Sequence, residues 1–187
     1  MPRDQIESMT AEYRRYKQLG EGAFAQLGNG ELCQAASADD NSVAALVWHV
    51  AGNLKSRFTD FQTSDGEKPW RNRDEEFDAR RVSREALLEK WEAGWGVLLA
   101  ALSALDDADL GRTIAIRGQA LRVDEALHRS LAHTTYHCGQ IVLLAKNARG
   151  AGWRSLSIPR GQSSAFNRNP VGQLPDEHAR VLGKGDR

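Results

Sequence analysis

The sequence predicts an all-α protein: a four-helix bundle with a small β-hairpin between its third and fourth helices and an irregular C-terminal tail. Three observations carry this expectation. Four stretches repeat apolar residues at spacings of three and four, the period of a single helix face. A short segment between the last two of them alternates instead, as a hairpin does. After Gly150 the helical period stops, and Pro159, Pro170 and Pro175 fall there with several glycines.

The first helix is carried by Ile6, Met9, Tyr13, Tyr16, Gly20, Ala23 and Leu27, an inward seam that Gly20 and Gly22 weaken in the middle. The second follows the N-cap candidates Asp39, Asp40, Asn41 and Ser42, with Val43, Leu46, Val47, Val50, Leu54, Phe58 and Phe61 as its stripe. The third starts at Ser83, places Glu85 and Glu89 toward its positive end, and buries Leu87, Leu88, Trp91, Trp95, Leu98, Leu99 and Leu102. The segment from Arg112 to Val123 alternates about a Gly118-Gln119 turn. The fourth helix, from Val123 or Asp124 to Ala148, closes on Arg149-Gly150 as a C-cap. A charged loop, Thr63 to Asp74, joins the second and third helices. Trp153, Leu156, Ile158 and Phe166 imply that the first half of the tail packs on the body. The expected organisation is one bundle with packed tail over residues 1–172 and a loose tail over 173–187.

A 187-residue chain favours one domain, and at this length roughly 70% of the unfolded surface can be hidden. Hydrophobic residues at 41% and charged residues at 27% are ordinary globular usage. Twenty-five Lys and Arg balance 25 Asp and Glu, which argues against nucleic-acid binding, since phosphate contacts leave a basic excess. Two cysteines, Cys33 and Cys138, make no disulfide framework, and a reducing cytoplasm is the expected compartment. No membrane span is expected: the longest charge-free stretch, Ser130 to Ala145, contains two histidines and falls short of the roughly 20 apolar residues a span needs.

Chemistry is concentrated in the histidines. His133 and His137 are four apart on the fourth helix, one turn above each other and about 6 Å apart at Cβ, a spacing at which two imidazoles can share an ion. Both lie beside the apolar stripe. His49 lies beside the stripe of the second helix, so three imidazoles converge if those helices touch. Gly52 and Gly139, each within a turn of one of these histidines, are expected to allow that close approach. Three imidazoles with an open position suit a catalytic divalent metal. A His-x-x-x-His pair also arises by chance, and a single core histidine is more often only hydrogen-bonded, so the pair alone favours the chance reading over a metal site. Thr134 stands where a zincin needs its glutamate, which excludes that class.

The segment His49-Val50-Ala51-Gly52-Asn53, followed by His133-Thr134-Thr135-Tyr136-His137-Cys138-Gly139-Gln140-Ile141, resembles the metal triad of the DinB-like, YfiT-like superfamily. The loop from Asp65 to Asp74, the tail from Leu156 to Ser163, and Phe166-Asn167 resemble one uncharacterised bacterial subgroup within it. Together these motifs run from the second helix to about Gly172. The resemblance implies a DinB-like four-helix bundle with His49, His133 and His137 as ligands of one divalent ion, zinc, nickel or iron. Relatives include S-transferases and isomerases that use low-molecular-weight thiols, and many are dimers. The subgroup has no assigned reaction, and fold transfers better than reaction.

The leading expectation is a metal-dependent enzyme acting on a small molecule through thiol S-transfer chemistry, as a homodimer. The alternatives are a metal-dependent hydrolase and a non-catalytic metal- or ligand-binding dimer. Asn53, one turn after His49, is the candidate to orient a water or substrate, with Gln140 and Tyr136 as weaker ones. In the charged loop, Trp70, Arg71 and Arg73 are candidates for substrate binding, the arginines gripping a carboxylate. Equally, these arginines could pair with Asp65, Glu67, Asp74 or Glu75. Cys138 is expected to be a small buried hydrophobe, and His128 a surface residue. Leu19 to Ala25 mimics a kinase glycine-rich loop, but the other kinase signatures are missing.

Overall fold

The computed structural model describes residues 4–37 and 39–172, and Glu177. The tail expected to be loose, 173–187, lies outside the described residues except for Glu177. The chain is all-α apart from one hairpin: α1 (Gln5–Phe24), α2 (Asn29–Cys33), α3 (Val43–Phe58), α4 (Arg84–Ser103), β1 (Thr113–Ile116), β2 (Gln119–Arg122), α5 (Val123–Arg149) and α6 (Ser163–Arg168). The four long helices are the four that the apolar periods predict. α3 packs chiefly on α4, α1 chiefly on α5, and α3 also meets α5. No described helix is long and apolar enough to cross a membrane.

Local chemistry explains most of the boundaries. Ser42 and Ser83 cap α3 and α4, their hydroxyls accepting from Ala45 N at 3.1 Å and Ala86 N at 3.2 Å. α3 stops at Phe58, short of the expected Phe61, because Asp60 takes a positive φ of 49° and the chain turns there. α5 ends where expected, at Gly150 with φ 52°. The N-terminus of α1 is capped from a distance: Gln5 N and Ile6 N donate to the Asp107 carboxylate at 2.8 and 2.9 Å. The sequence reading did not anticipate α2, α6 or the 3-10 turns Asp74–Phe77 and Asp107–Gly111, all too short to show a period.

The hairpin pairs Ile116 with Gln119, so its turn is Arg117-Gly118, one residue earlier than expected. Both residues have positive φ, 56° and 69°, the type I′ requirement. A left-handed arginine costs about 1–2 kcal/mol. Here Asp65 offsets the cost, its carboxylate accepting from Arg117 N at 2.8 Å and Gly118 N at 2.7 Å. Gly66 N donates to Ala115 O at 2.8 Å, so the charged loop is fastened to the hairpin rather than simply solvated.

The core is built on aromatics between α1 and α4. Trp91 and Trp95 are fully buried, with Phe24 edge-on to Trp91 at 5.5 Å and Tyr13 edge-on to Trp95 at 6.3 Å. Gly20, in the kinase-like segment, lies within helix α1, and a Cβ there would sit 2.9 Å from the Trp91 ring. The glycine makes room for a tryptophan, not a phosphate. On the tail, Trp153 and Leu156 pack on the core, and Gln26 exchanges hydrogen bonds with the Arg154 backbone. Ile158, by contrast, is exposed.

Gly94 permits the tightest helix contact. A Cβ there would lie 2.5 Å from Ala51 Cα, so backbone rather than a pliable side chain blocks it. Gly94→Ala gains about 1 kcal/mol of helix propensity. Overpacking typically costs 1–3 kcal/mol, and a rigid obstruction places this site at the upper end, giving a net loss of about 1–2 kcal/mol. Urea unfolding checks this; an unchanged midpoint would mean that α3 and α4 do not meet at these residues.

Candidate metal centre

Three imidazoles from two helices converge where α3 meets α5. His49 comes from the middle of α3 and is 2% exposed; His133 and His137 come from successive turns of α5. His49 Nε2 and His133 Nε2 are 3.1 Å apart, and one ligand-capable atom from each of the three lies within 4.8 Å of the others. Among the described residues, no cysteine or carboxylate joins this group.

The outer hydrogen bonds set the rings. His49 Nδ1 donates to Glu76 Oε2 at 2.9 Å, which leaves the Nε2 lone pair facing His133. His137 Nδ1 donates to Gln140 Oε1 at 2.7 Å and so leaves its own Nε2 free to accept. His133 Nδ1 is buried with no partner among the described residues. Glu76 belongs to the 3-10 turn that ends the charged loop, and Arg71 forks onto it: Nε to Oε1 and Nη2 to Oε2, both at 2.8 Å. Phe77, next in the turn, lies against the His49 ring at 4.5 Å. Burial raises the Glu76 carboxyl, but Arg71 and His49 outweigh it and hold the group below its ordinary value.

The donor set fits a first-row divalent ion. Two nitrogens on one tetrahedral zinc are roughly 3.3 Å apart, close to the His49–His133 separation. With their Nε2 atoms 3.1 Å apart, the His49 and His133 rings share either a proton or an ion. Among the described residues no fourth donor joins the three imidazoles, so an ion held there would keep room for an exogenous ligand.

A family model described as "Protein of unknown function (DUF1572)" matches residues 1–162. That span contains all three histidines, Glu76, Arg71 and the hairpin. The chain belongs to this family. No curated protein and no solved structure matches it.

The other residues singled out in this DUF1572 protein occupy distinct places. Asn53 and Arg73 line a cleft of about 160 Å³ that His49 and His133 also line. Arg71 lines it too, with its fork turned onto Glu76, the acidic residue next after those considered as partners. Arg73 reaches Asp74 at 3.7 Å and lies 5.1 Å over the Phe77 ring. Trp70 is 53% exposed under Lys55 and lines a separate cleft on the other side of Glu76 and Arg71. Cys138 is buried, which pushes its thiol up to about 12, and His128 is exposed. The two glycines act differently from expectation. A Cβ on Gly52 would lie 2.0 Å from Glu76 Oε1, so this glycine admits the carboxylate rather than α5; Gly139 faces open space.

Glu76 was missed because it lies in an acidic run without periodicity. The available signal was Phe77, an apolar residue closing the run Asp74-Glu75-Glu76, which marks an inward turn.

The imidazoles predict an acid dependence for the metal-free DUF1572 protein. Burial, with His137 and His49 close by, pushes His133 down to about 3. Burial also lowers His137, against the opposing hydrogen bond that it donates to Gln140. Below an unfolded histidine pKa of about 6.5, the unfolded chain therefore binds more protons than the folded one. Stability is expected to be fully present above about pH 6.5 and to fall progressively toward pH 3. Thermal melts check this, and the loss should be smaller in His133→Ala; equal slopes would contradict a buried neutral His133.

Proposed function

We propose that this DUF1572 protein is a metal-dependent enzyme of the DinB-like, YfiT-like type, with His49, His133 and His137 holding one zinc, nickel or iron ion. The observation that carries the reading is the convergence of three imidazole nitrogens within 4.8 Å, beside a cleft and without a fourth donor among the described residues. When bound, a divalent ion lowers the pKa of a thiol or a water and so supplies a nucleophile at neutral pH.

The chain's own residues do the rest. Glu76 fixes the tautomer and ring orientation of His49, and Arg71 fixes Glu76. Gln140 does the same for His137. Asn53, which lines the cleft one turn from His49, orients the incoming substrate through its amide. The buried thiol of Cys138 takes no part. Resemblance favours S-transfer from a low-molecular-weight thiol, in a cytoplasmic homodimer.

Elemental mass spectrometry on untagged protein tests the site. About one equivalent of metal is expected, as isolated or after reconstitution with zinc, nickel or ferrous iron. No metal under any of these conditions overturns the enzyme reading.

A further inference from the structure

The cleft beside the imidazoles is lined by five guanidinium groups, those of Arg57, Arg71, Arg73, Arg117 and Arg129, and by no carboxylate. Four carboxylates act on these groups from outside the lining, among them Asp65, which accepts from Arg117 N and whose charge acts on Arg57. Glu67 is shared between Arg57 at 3.2 Å and Arg117 at 2.7 Å. Glu76 takes Arg71, and Asp74, 97% exposed, stands 3.7 Å from Arg73. Arg129 has no hydrogen bond or ion pair with any described residue. Five cations against four carboxylates leave a net positive charge, and a divalent ion at the histidines would add to it.

A second observation is independent of this count. The Arg71 side chain is 2% exposed, and Glu76 occupies its Nε and Nη2. Its Nη1 is buried without a partner among the described residues. Leaving a buried charged donor unmatched costs more than the roughly 1–3 kcal/mol of a neutral one, so a ligand that accepts from it is favoured. Phe58, Phe61 and Ile116 line the same cleft, and apolar walls strengthen the field of the arginines around them.

We infer that this cleft is an oxyanion-binding subsite, and that the substrate reaching the histidine centre carries a carboxylate or phosphate held by Arg129 and Arg73 in the field of Arg71. Guanidinium groups recognise both oxyanions through charge-assisted hydrogen bonds. A volume of about 160 Å³ is below that of a whole drug-sized pocket, so the cleft takes the acidic end of the substrate. The inference rests on the metal reading, because it places the reacting end of the same molecule at His49, His133 and His137.

The test uses the full chain loaded with cobalt(II), a coloured stand-in for zinc, titrated with 3-mercaptopropionate, 2-mercaptoethanol and cysteamine. The cobalt absorption spectrum reports binding. The acid is expected to bind at least about tenfold more tightly than the neutral thiol, with the cationic thiol weakest, since a tenfold preference is a typical gain from one charge-assisted contact. Arg129→Ala and Arg73→Ala, both at accessible positions, are expected to remove most of that preference, read within each variant as the ratio of 3-mercaptopropionate to 2-mercaptoethanol affinity. Competition by inorganic phosphate and by acetate then assigns the oxyanion according to which displaces the acid at lower concentration. Equal affinities for the three thiols, or a cobalt spectrum that answers to none of them, overturn the subsite and leave the metal centre standing. A protein that takes up no cobalt overturns the metal reading, and the subsite with it.

Discussion

Glu76→Ala is expected to destabilise the protein by about 3–5 kcal/mol, the usual cost of removing one partner of a buried ion pair. Arg71 is 2% exposed and Glu76 8% exposed at the side chain, so the abandoned guanidinium has little access to water. It already carries one nitrogen without a partner among the described residues. The same substitution removes the acceptor from His49 Nδ1, and loss of such an orienting partner typically lowers metal affinity by 10–100-fold. Two further variants separate the two effects. Glu76→Gln keeps the volume and one acceptor, so it should lose less stability than alanine. In the pair Arg71→Met, Glu76→Leu the buried charge is gone, so stability should recover while metal affinity stays low. Urea unfolding and metal competition against a chromogenic chelator read the two quantities. Parental stability in Glu76→Ala would show that Arg71 finds water in solution and that the buried pair is not maintained.

The double variant His133→Ala, His137→Ala is expected to take up at most a small fraction of the one equivalent of metal expected of the parent. Two of three donors are lost, and the remaining His49 cannot hold a divalent ion by itself. The variant should still fold. Both rings lie at the margin of the core, whose mass is the aromatic and aliphatic packing of α1, α3 and α4. Stability supplies a second readout. An ion that binds only the folded chain stabilises it by about 4 kcal/mol when its free concentration is a thousandfold above Kd. A chelator should therefore lower the melting temperature of the metal-loaded parent and leave the double variant unmoved. Equal metal content in parent and variant would falsify the assignment of these ligands.

The four long helices were legible because their signal is local. In α3, the run from Val43 to Phe58 repeats at the helical period, and Ser42 announces its start. The i, i+4 pair His133 and His137 and the alternation around Gly118 are equally local. The hairpin turn was misplaced by a residue because the choice depends on Asp65, which pays for the left-handed Arg117 with two backbone hydrogen bonds from a loop some fifty residues away. Asp107 is a similar case, capping a helix that begins 102 residues earlier.

What the sequence by itself determined, then, is the set of helices, the hairpin between the last two long ones and the identity of three inward histidines, since backbone geometry ties each of these to residues a few positions apart. Tertiary structure alone decided that α3 crosses α5 at those histidines, that Gly52 is open for a carboxylate, and that Arg71 turns inward onto Glu76. These depend on how an aperiodic charged loop folds back over the bundle. Its path is set by the burial and pairing of individual charges, by Glu76 reaching His49 and Asp65 reaching the hairpin, and partners chosen across such distances leave no period in the chain.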